Sequence, residues 1–283
     1  MNTNNHKIVN DGDWVVCYLD ILGYGRLVKD LYEYPSKVSD LRESIKNVIN
    51  SAIGMFDSFL EEKSDDKLVK ASQEMIKSVR FQVLSDSILI SKPLHNLPNL
   101  VEGSTENENV FANIRMFLQI CAYSILLISV KIGYLFRGSI AIGQHYQSSF
   151  DERKPENQFI FSKALVIAFE LYKTATFPRI LVDWSVVQRL EQNTTLNFNY
   201  YIRKDYDGLY ILDVYKFFSN FANKGRNFFE DIRKVIEYQV EINKHKPEVL
   251  QKLYYYAQYH NKCMQDMQLE TALKLDINSF FYK

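Results

Sequence analysis

The chain has no surplus of charge of either sign: 34 Lys and Arg balance 34 Asp and Glu over 283 residues. A protein held on nucleic acid by phosphate neutralisation carries a basic excess, so no nucleic-acid partner is expected. Cysteine is scarce. Cys17, Cys121 and Cys263 lie too far apart for a local metal knuckle, and an odd number in apolar contexts points to buried thiols in a reducing cytoplasm. The five histidines are scattered and form no ligand set. A membrane-spanning run of ~20 apolar residues is also missing. The longest candidate lies within Val110 to Phe136. Its most apolar part, Met116 to Val130, contains Gln119 and is bounded by Arg115 and Lys131, and it reads as a buried helix. Residues 1–12 are polar, have no signal-peptide core and read as a flexible tail. These absences together predict a cytoplasmic protein with no membrane span.

What remains is enough apolar material for a large core, 47% of the chain, arranged around two short stretches. Val15-Val16-Cys17-Tyr18-Leu19 is an apolar run that ends on Asp20. Ile21-Leu22 and the Gly23-Tyr24-Gly25 turn follow, and then a helical pattern from Arg26. This is the pattern of a buried strand that ends in a carboxylate and turns tightly into a helix. Glycines let backbone approach a ligand closely, and a helix N-terminus offers free N–H groups to an anion. A carboxylate beside such a cradle calls for a cation between it and the anion, with Mg²⁺ or Mn²⁺ as the natural choice. The alternative for Asp20 is an ordinary turn or N-cap residue. The second stretch, Phe81 to Ser91, is two apolar segments around Ser85-Asp86-Ser87, a β-hairpin with an acid at its tip.

Periodicity predicts strands over 14–22, 78–84, 87–91, 134–147, 179–182, 198–203 and 210–213. It predicts helices over 26–34, 36–63, 109–132, 159–175 and 185–190, and from Phe217 to the end with a break near Lys246-Pro247. Segments 64–70, 93–108 and 147–157 read as loops. Asp205-Tyr206-Asp207-Gly208 carries a strong turn signal. No internal repeat is present. The order fits an α+β fold, a sheet covered by helices over 13–215, followed by a helical C-terminal extension over 216–283.

Several ordered motifs resemble the catalytic domain of class III nucleotidyl cyclases, most closely the bacterial branch that includes the pyrimidine nucleotide cyclases of Pycsar antiphage systems. The motifs are Asp20-Ile21-Leu22-Gly23-Tyr24, Ser85-Asp86-Ser87, Arg137-Gly138-Ser139-Ile140-Ala141-Ile142-Gly143, Phe161-Ser162-Lys163-Ala164-Leu165 and Phe177-Pro178-Arg179-Ile180-Leu181-Val182-Asp183. The resemblance implies a ferredoxin-like sheet and a head-to-tail homodimer with active sites at its interface. It further implies two Mg²⁺ or Mn²⁺ ions held by Asp20, Asp86 and the main-chain carbonyl of Ile21, with Leu22, Gly23, Tyr24 and Gly25 cradling a nucleoside triphosphate. The product would be a 3′,5′-cyclic nucleotide, read by a separate cyclic-nucleotide-responsive effector.

The sequence departs from the family at informative places. The usual purine-reading pair falls at Gln82 and Ala164, and the usual transition-state Asn and Arg fall at Val166 and Glu170. Ser162-Lys163 stands where Gly-Pro is usual. Loss of the purine pair suits a pyrimidine substrate, UTP or CTP, with Gln82 facing the base. A degenerate cyclase that binds without turnover and a purine cyclase with unfamiliar readers are the alternatives. Arg137 is either a phosphate ligand or half of an ion pair with a neighbouring strand. Arg26 and Lys29 read as part of a solvated helix face, with contact to the triphosphate as the alternative for Arg26. Lys163 reads as a surface residue, with the charge of the missing Arg as its alternative. Arg179 reads as structural and Asp183 as an N-cap. Of Tyr254-Tyr255-Tyr256, at least one must be exposed, because three consecutive helical residues cannot share one face.

Overall fold

A computed structural model describes residues 13–33, 66–95, 104–151, 154–192, 201–219, 222–269 and 273–278, with helical pieces between 39 and 54. The expected tail over 1–12, most of the helix over 36–63 and the strand start at 198–200 lie outside the described residues. The chain runs β1 (Asp13–Ile21), α1 (Tyr24–Glu33), α2 (Asp66–Lys77), β2 (Arg80–Leu84), β3 (Ser87–Pro93), α3 (Glu106–Ile132) and β4 (Phe136–Asp151). It continues through β5 (Lys154–Ser162), α4 (Lys163–Tyr172), β6 (Ile180–Val182), α5 (Trp184–Glu191), β7 (Ile202–Lys204) and β8 (Tyr210–Leu212). Three helices follow, α6 (Val214–Ser219), α7 (Ala222–Ile242) and α8 (Pro247–Asp266).

The strands form an eight-stranded sheet in the order β2-β3-β1-β4-β6-β8-β7, with β5 paired to β4 off that path. β1 runs antiparallel to both neighbours, β3 and β4. Strand order β2-β3-β1-β4 built from a β-α-β-β-α-β succession is the ferredoxin-like arrangement, so the expected α+β class and sheet are present. β4 and β6 are parallel, joined by the β5–α4 crossover. β1 is central because both of its faces are buried. Val15, Cys17, Leu19 and Ile21 point into the main core with Phe117 of α3, while Val16 packs with Leu89 and Ala164 on the other face.

α3 is the core helix. Thr105 and Glu108 close a capping box at its start, and the Gly133 N–H returns to Ser129 O at its end. By length and composition it could cross a membrane, but 67% of its apolar window is buried inside the protein. It is covered by sheet on one side and by C-terminal helices on the other. Phe229, Ile232, Ile236 and Leu253 of α7 and α8 belong to the same cluster as Phe117 and β1.

Three expectations need correction. The 147–157 loop is instead the meeting point of two long strands, with β4 and β5 paired from His145↔Ser162 to Asp151↔Lys154. Phe159–Ser162 lies on β5, and the helix begins at Lys163, where the Ser162 hydroxyl caps it by accepting from Leu165 N at 2.9 Å. Cross-strand pairing there overrides the helical periodicity. Residues 66–70, expected as a loop, begin α2, whose sequence contains no Pro or Gly to break a helix.

α2 ends on an unusual partner. Lys92 of β3 is fully buried, and its Nζ donates to Met75 O at 2.8 Å and Ser78 Oγ at 2.6 Å. Burial pushes its amine down to about 7. The unfolded chain therefore binds more protons than the folded one between about pH 7 and the free lysine value near 10.4, and stability should rise with pH across that window. Urea unfolding at pH 7 and pH 9 checks this. The wild type should gain more stability than Lys92→Met on going to the higher pH, and an equal change in both would remove Lys92 as the cause.

Candidate active site

β1 carries Asp20 to its C-terminal end, one residue before the strand stops. The backbone is paired on both sides there: Ile21 N donates to Asp86 O at 3.0 Å and Leu22 N to Leu135 O at 2.9 Å. The first of these bonds fixes the tip of the β2–β3 hairpin against the end of β1. Asp20 lies opposite Ser87 in register, so the two acids come from adjacent positions on neighbouring strands. The hairpin is tight, with Leu84 paired to Ser87 across a two-residue loop. Ser85 takes φ 53° in that loop, a conformation costly for a residue with a Cβ.

Asp20 is only 8% exposed. A buried carboxylate needs compensating donors, and both come to one oxygen. Arg137 Nε donates to Asp20 Oδ2 at 2.8 Å and the Tyr172 hydroxyl donates to the same atom at 2.9 Å. Arg137 also donates through Nη2 to the Tyr172 hydroxyl at 2.7 Å. Burial would lower the Arg137 pKa, but its hydrogen bond to Asp20 and the neighbouring charges raise it overall. Burial first, and then the bond to Asp20, push the Tyr172 phenol up to about 12, so at neutral pH it keeps its proton and shares it with Asp20 as a hydrogen bond. Asp86 is exposed, and its Oδ1 accepts from Ser87 Oγ at 3.2 Å.

The two acids line one cavity of about 440 Å³. Ile21, Leu22, Gly23, Tyr24 and Gly25 line it beside them, as does Arg137. Thus eight of the nine expected site residues converge. The turn is built for backbone approach. Gly23 has φ 83°, and a Cβ there would also press on the Tyr134 ring at 3.3 Å, whereas a Cβ on Gly25 would meet nothing within 4 Å. In the first turn of α1, Arg26 N and Leu27 N donate to Gly23 O, while the N–H groups of Tyr24 and Gly25 come too early for an intrahelical acceptor.

Gln82 does not line the cavity. It sits on β2 opposite Leu89, on the sheet face that carries Tyr18 and Asp20. Its Oε1 is buried with no hydrogen-bond partner among the described residues. Arg137 turns out to be the ion-pair partner of the candidate carboxylate itself. Arg26, expected on a solvated face, instead lines the cavity and donates to Ile242 O at 2.7 Å. Lys29 and Lys163 are exposed as expected. Arg179 binds Asp205 and Asp207 across the β7–β8 turn, and Asp183 caps α5 by accepting from Ser185 N.

Sequence reasoning missed Tyr172 and the second wall of the cavity, formed by Gln239, Asn243, Lys246 and Lys252 of the C-terminal helices. No motif marks these positions. Only the last-turn position of Tyr172, on the helix that follows the Phe161–Leu165 motif, hinted at its reach.

For a metal, the donors present are hard oxygens. Asp20 Oδ1 and Asp86 Oδ2 accept no hydrogen bond among the described residues, which leaves one oxygen on each acid. No cluster of three metal-ligating side chains exists among the described residues. Two carboxylates, completed by backbone, water and substrate oxygens, form the kind of set that Mg²⁺ uses, so the residues fit a divalent ion.

Comparison of the sequence with protein-family models and with curated proteins gave no match. Among solved structures the chain is similar to the adenylyl cyclase CyaB from P. aeruginosa, with 12% identity over 71% of this chain and 93% of that one and a TM-score of 0.42. It is similar to a bacterial light-regulated adenylyl cyclase, with 9% identity over 74% of this chain and 54% of that one and a TM-score of 0.45. A third is the guanylyl cyclase Cya2, with 10% identity, coverage of 72% and 92%, and a TM-score of 0.37. Scores this low carry no weight for the chemistry, which rests on the strand order and side chains of this chain.

The glycines separate fold from binding. Gly23→Ala should cost about 1–2 kcal/mol of stability, because a Cβ is strained at that φ. Gly25→Ala should leave stability level or raise it by up to about 1 kcal/mol, as Ala is the better helix former. Its methyl would stand in the cavity and weaken anion binding. Thermal unfolding, with and without inorganic pyrophosphate, measures both effects.

Proposed function

We propose that this protein is a metal-dependent nucleotidyl cyclase that converts a pyrimidine nucleoside triphosphate, UTP or CTP, to the 3′,5′-cyclic monophosphate and pyrophosphate. The observation that carries the reading is the convergence of Asp20, Asp86 and the Gly23–Gly25 turn on one cavity at the C-terminal end of the central strand of a ferredoxin-like sheet. In that reaction the ribose 3′-oxygen bonds to the α-phosphorus, the bond to pyrophosphate breaks and the hydroxyl proton passes to solvent. Asp20, Asp86 and the Ile21 carbonyl would hold Mg²⁺ or Mn²⁺, which when bound lowers the pKa of the attacking hydroxyl and offsets charge on the departing pyrophosphate. The N–H groups that follow Leu22 receive phosphate oxygens. Arg137 and Tyr172 both bind Asp20 Oδ2 and fix the direction of the carboxylate.

A further part of the substrate site, on the side of the base, comes from a second copy of the chain. Leu84 (48% exposed), Phe161 (75%) and Val166 (60%) present apolar side chains on β2, β5 and α4, more than a solvated surface favours. A head-to-tail homodimer covers them and brings Gln82 of one protomer to the metal site of the other. The lone buried acceptor on Gln82 supports a role toward a base that offers an N–H. Ala164 is fully buried and offers no side-chain hydrogen bond, which disfavours the larger purine edge. The cyclic product would be a signal to a separate effector in antiphage defence. Binding without turnover is the second reading. It is favoured by Val166 and by Glu170, which lies exposed and paired to Lys173 where a catalytic arginine is usual.

Purified protein incubated with equal UTP, CTP, ATP and GTP and Mn²⁺ should yield a cyclic pyrimidine nucleotide and pyrophosphate. Asp20→Asn and Asp86→Asn should each reduce turnover at least about 100-fold, the scale of losing a group that acts in the transition state. Dominant cyclic AMP or cyclic GMP would overturn the base assignment. Nucleotide-induced stabilisation with no pyrophosphate release would establish the binding reading instead.

A further inference from the structure

We propose that the C-terminal helical pair, α7 and α8, supplies the cations that hold the triphosphate tail, with Lys246 and Lys252 on its β- and γ-phosphate oxygens. The inference rests on the nucleotide reading of the site and assigns it residues from outside the cyclase-like region. Lys246 lies in the turn between the two helices and Lys252 in the second turn of α8. Both line the cavity that holds Asp20 and Asp86.

The frame that carries these lysines is fixed to the catalytic side of the cavity. Arg26 of α1 donates to Ile242 O at 2.7 Å, and Gln239 Nε2 donates to Gly133 O at 2.6 Å. Lys246 N donates to Asn243 O at 2.8 Å, which sets the turn itself. Other lysines of α7 and its following turn find acids: Lys234 pairs with Glu230 and Lys244 with Glu241. Lys246 and Lys252 make no ion pair among the described residues.

The charges around the cavity then have a clear sense. Asp20 and Asp86 face Arg26, Arg137, Lys246 and Lys252. Arg137 is taken by Asp20, so the remaining cations exceed the remaining acid, and a polyanion is the ligand they suit. A lysine contributes a mobile point charge with several donors, well matched to terminal phosphates whose geometry changes as pyrophosphate leaves. α4 cannot take this role, because its Glu170 is an acid already paired to Lys173.

The test is titration calorimetry with tripolyphosphate and Mg²⁺, with cyclic product formation followed in parallel. The wild type should bind. Lys246→Ala and Lys252→Ala should each weaken binding about tenfold, as expected for a hydrogen bond to a charged group, and the double variant should weaken it further. Lys244→Ala, whose side chain is paired to Glu241, should bind as the wild type does. Lys246→Arg should recover most of the affinity, which a purely structural role at the turn would not require. Equal binding by the wild type and the double variant, with cyclic product still formed, overturns the lysine assignment and leaves the cyclase reading standing. No tripolyphosphate binding by the wild type also overturns it, and absence of cyclic product would then show that the reading of the site falls as well.

Discussion

The structure depends on one buried charge. Asp20 ends the central strand, in a place where both neighbouring strands are already committed to backbone pairing. An isolated carboxylate there would cost several kcal/mol. Arg137 and Tyr172 offset that cost by binding a single oxygen, which directs the other away from them. The arrangement constrains its surroundings. β4 must present Arg137 next to β1, and α4 must end so that Tyr172 lies over the strand end. The β2–β3 hairpin must bring Asp86 close enough for Ile21 N to bond its carbonyl. The strained φ at Ser85 falls in the same place and is consistent with a tip held by its neighbours rather than by local preference.

This design bears on how the site works. A cation that binds Asp20 has to share it with Arg137, which with Tyr172 occupies one carboxylate oxygen and leaves the other open. The tyrosine stays protonated across the neutral range, accepting from Arg137 and donating to Asp20. Polar and charged groups on this face of the sheet contrast with the opposite face, where Leu19 and Ile21 run into the packed side of α3. The alternation along β1 therefore separates a chemical face from a structural one within a single strand.

Much of this was legible in the sequence, and the reason is local. Asp20 with its following glycines, and Asp86 at a two-residue hairpin tip, are short-range patterns whose meaning does not depend on distant contacts. The central helix was legible because its apolar residues continue over many turns, which only a core can cover in a chain whose polar remainder folds around it. The β4–β5 arms were not, because residues 147–157 are polar and only their pairing with each other makes them strands. Tyr172 and the lysines of the C-terminal helices were invisible for a different reason. Their neighbours in the cavity lie far away in sequence, and an exposed lysine on a helix looks the same whether it faces solvent or a phosphate.

The most direct test of the account is a crystal structure of the protein grown with Mn²⁺ and a non-cyclisable UTP or CTP analogue, using anomalous scattering to place the metal. The account predicts anomalous peaks between Asp20 and Asp86, with phosphate density over the Gly23–Gly25 turn. Metal bound elsewhere, or a nucleotide whose phosphates lie away from that turn, would contradict it.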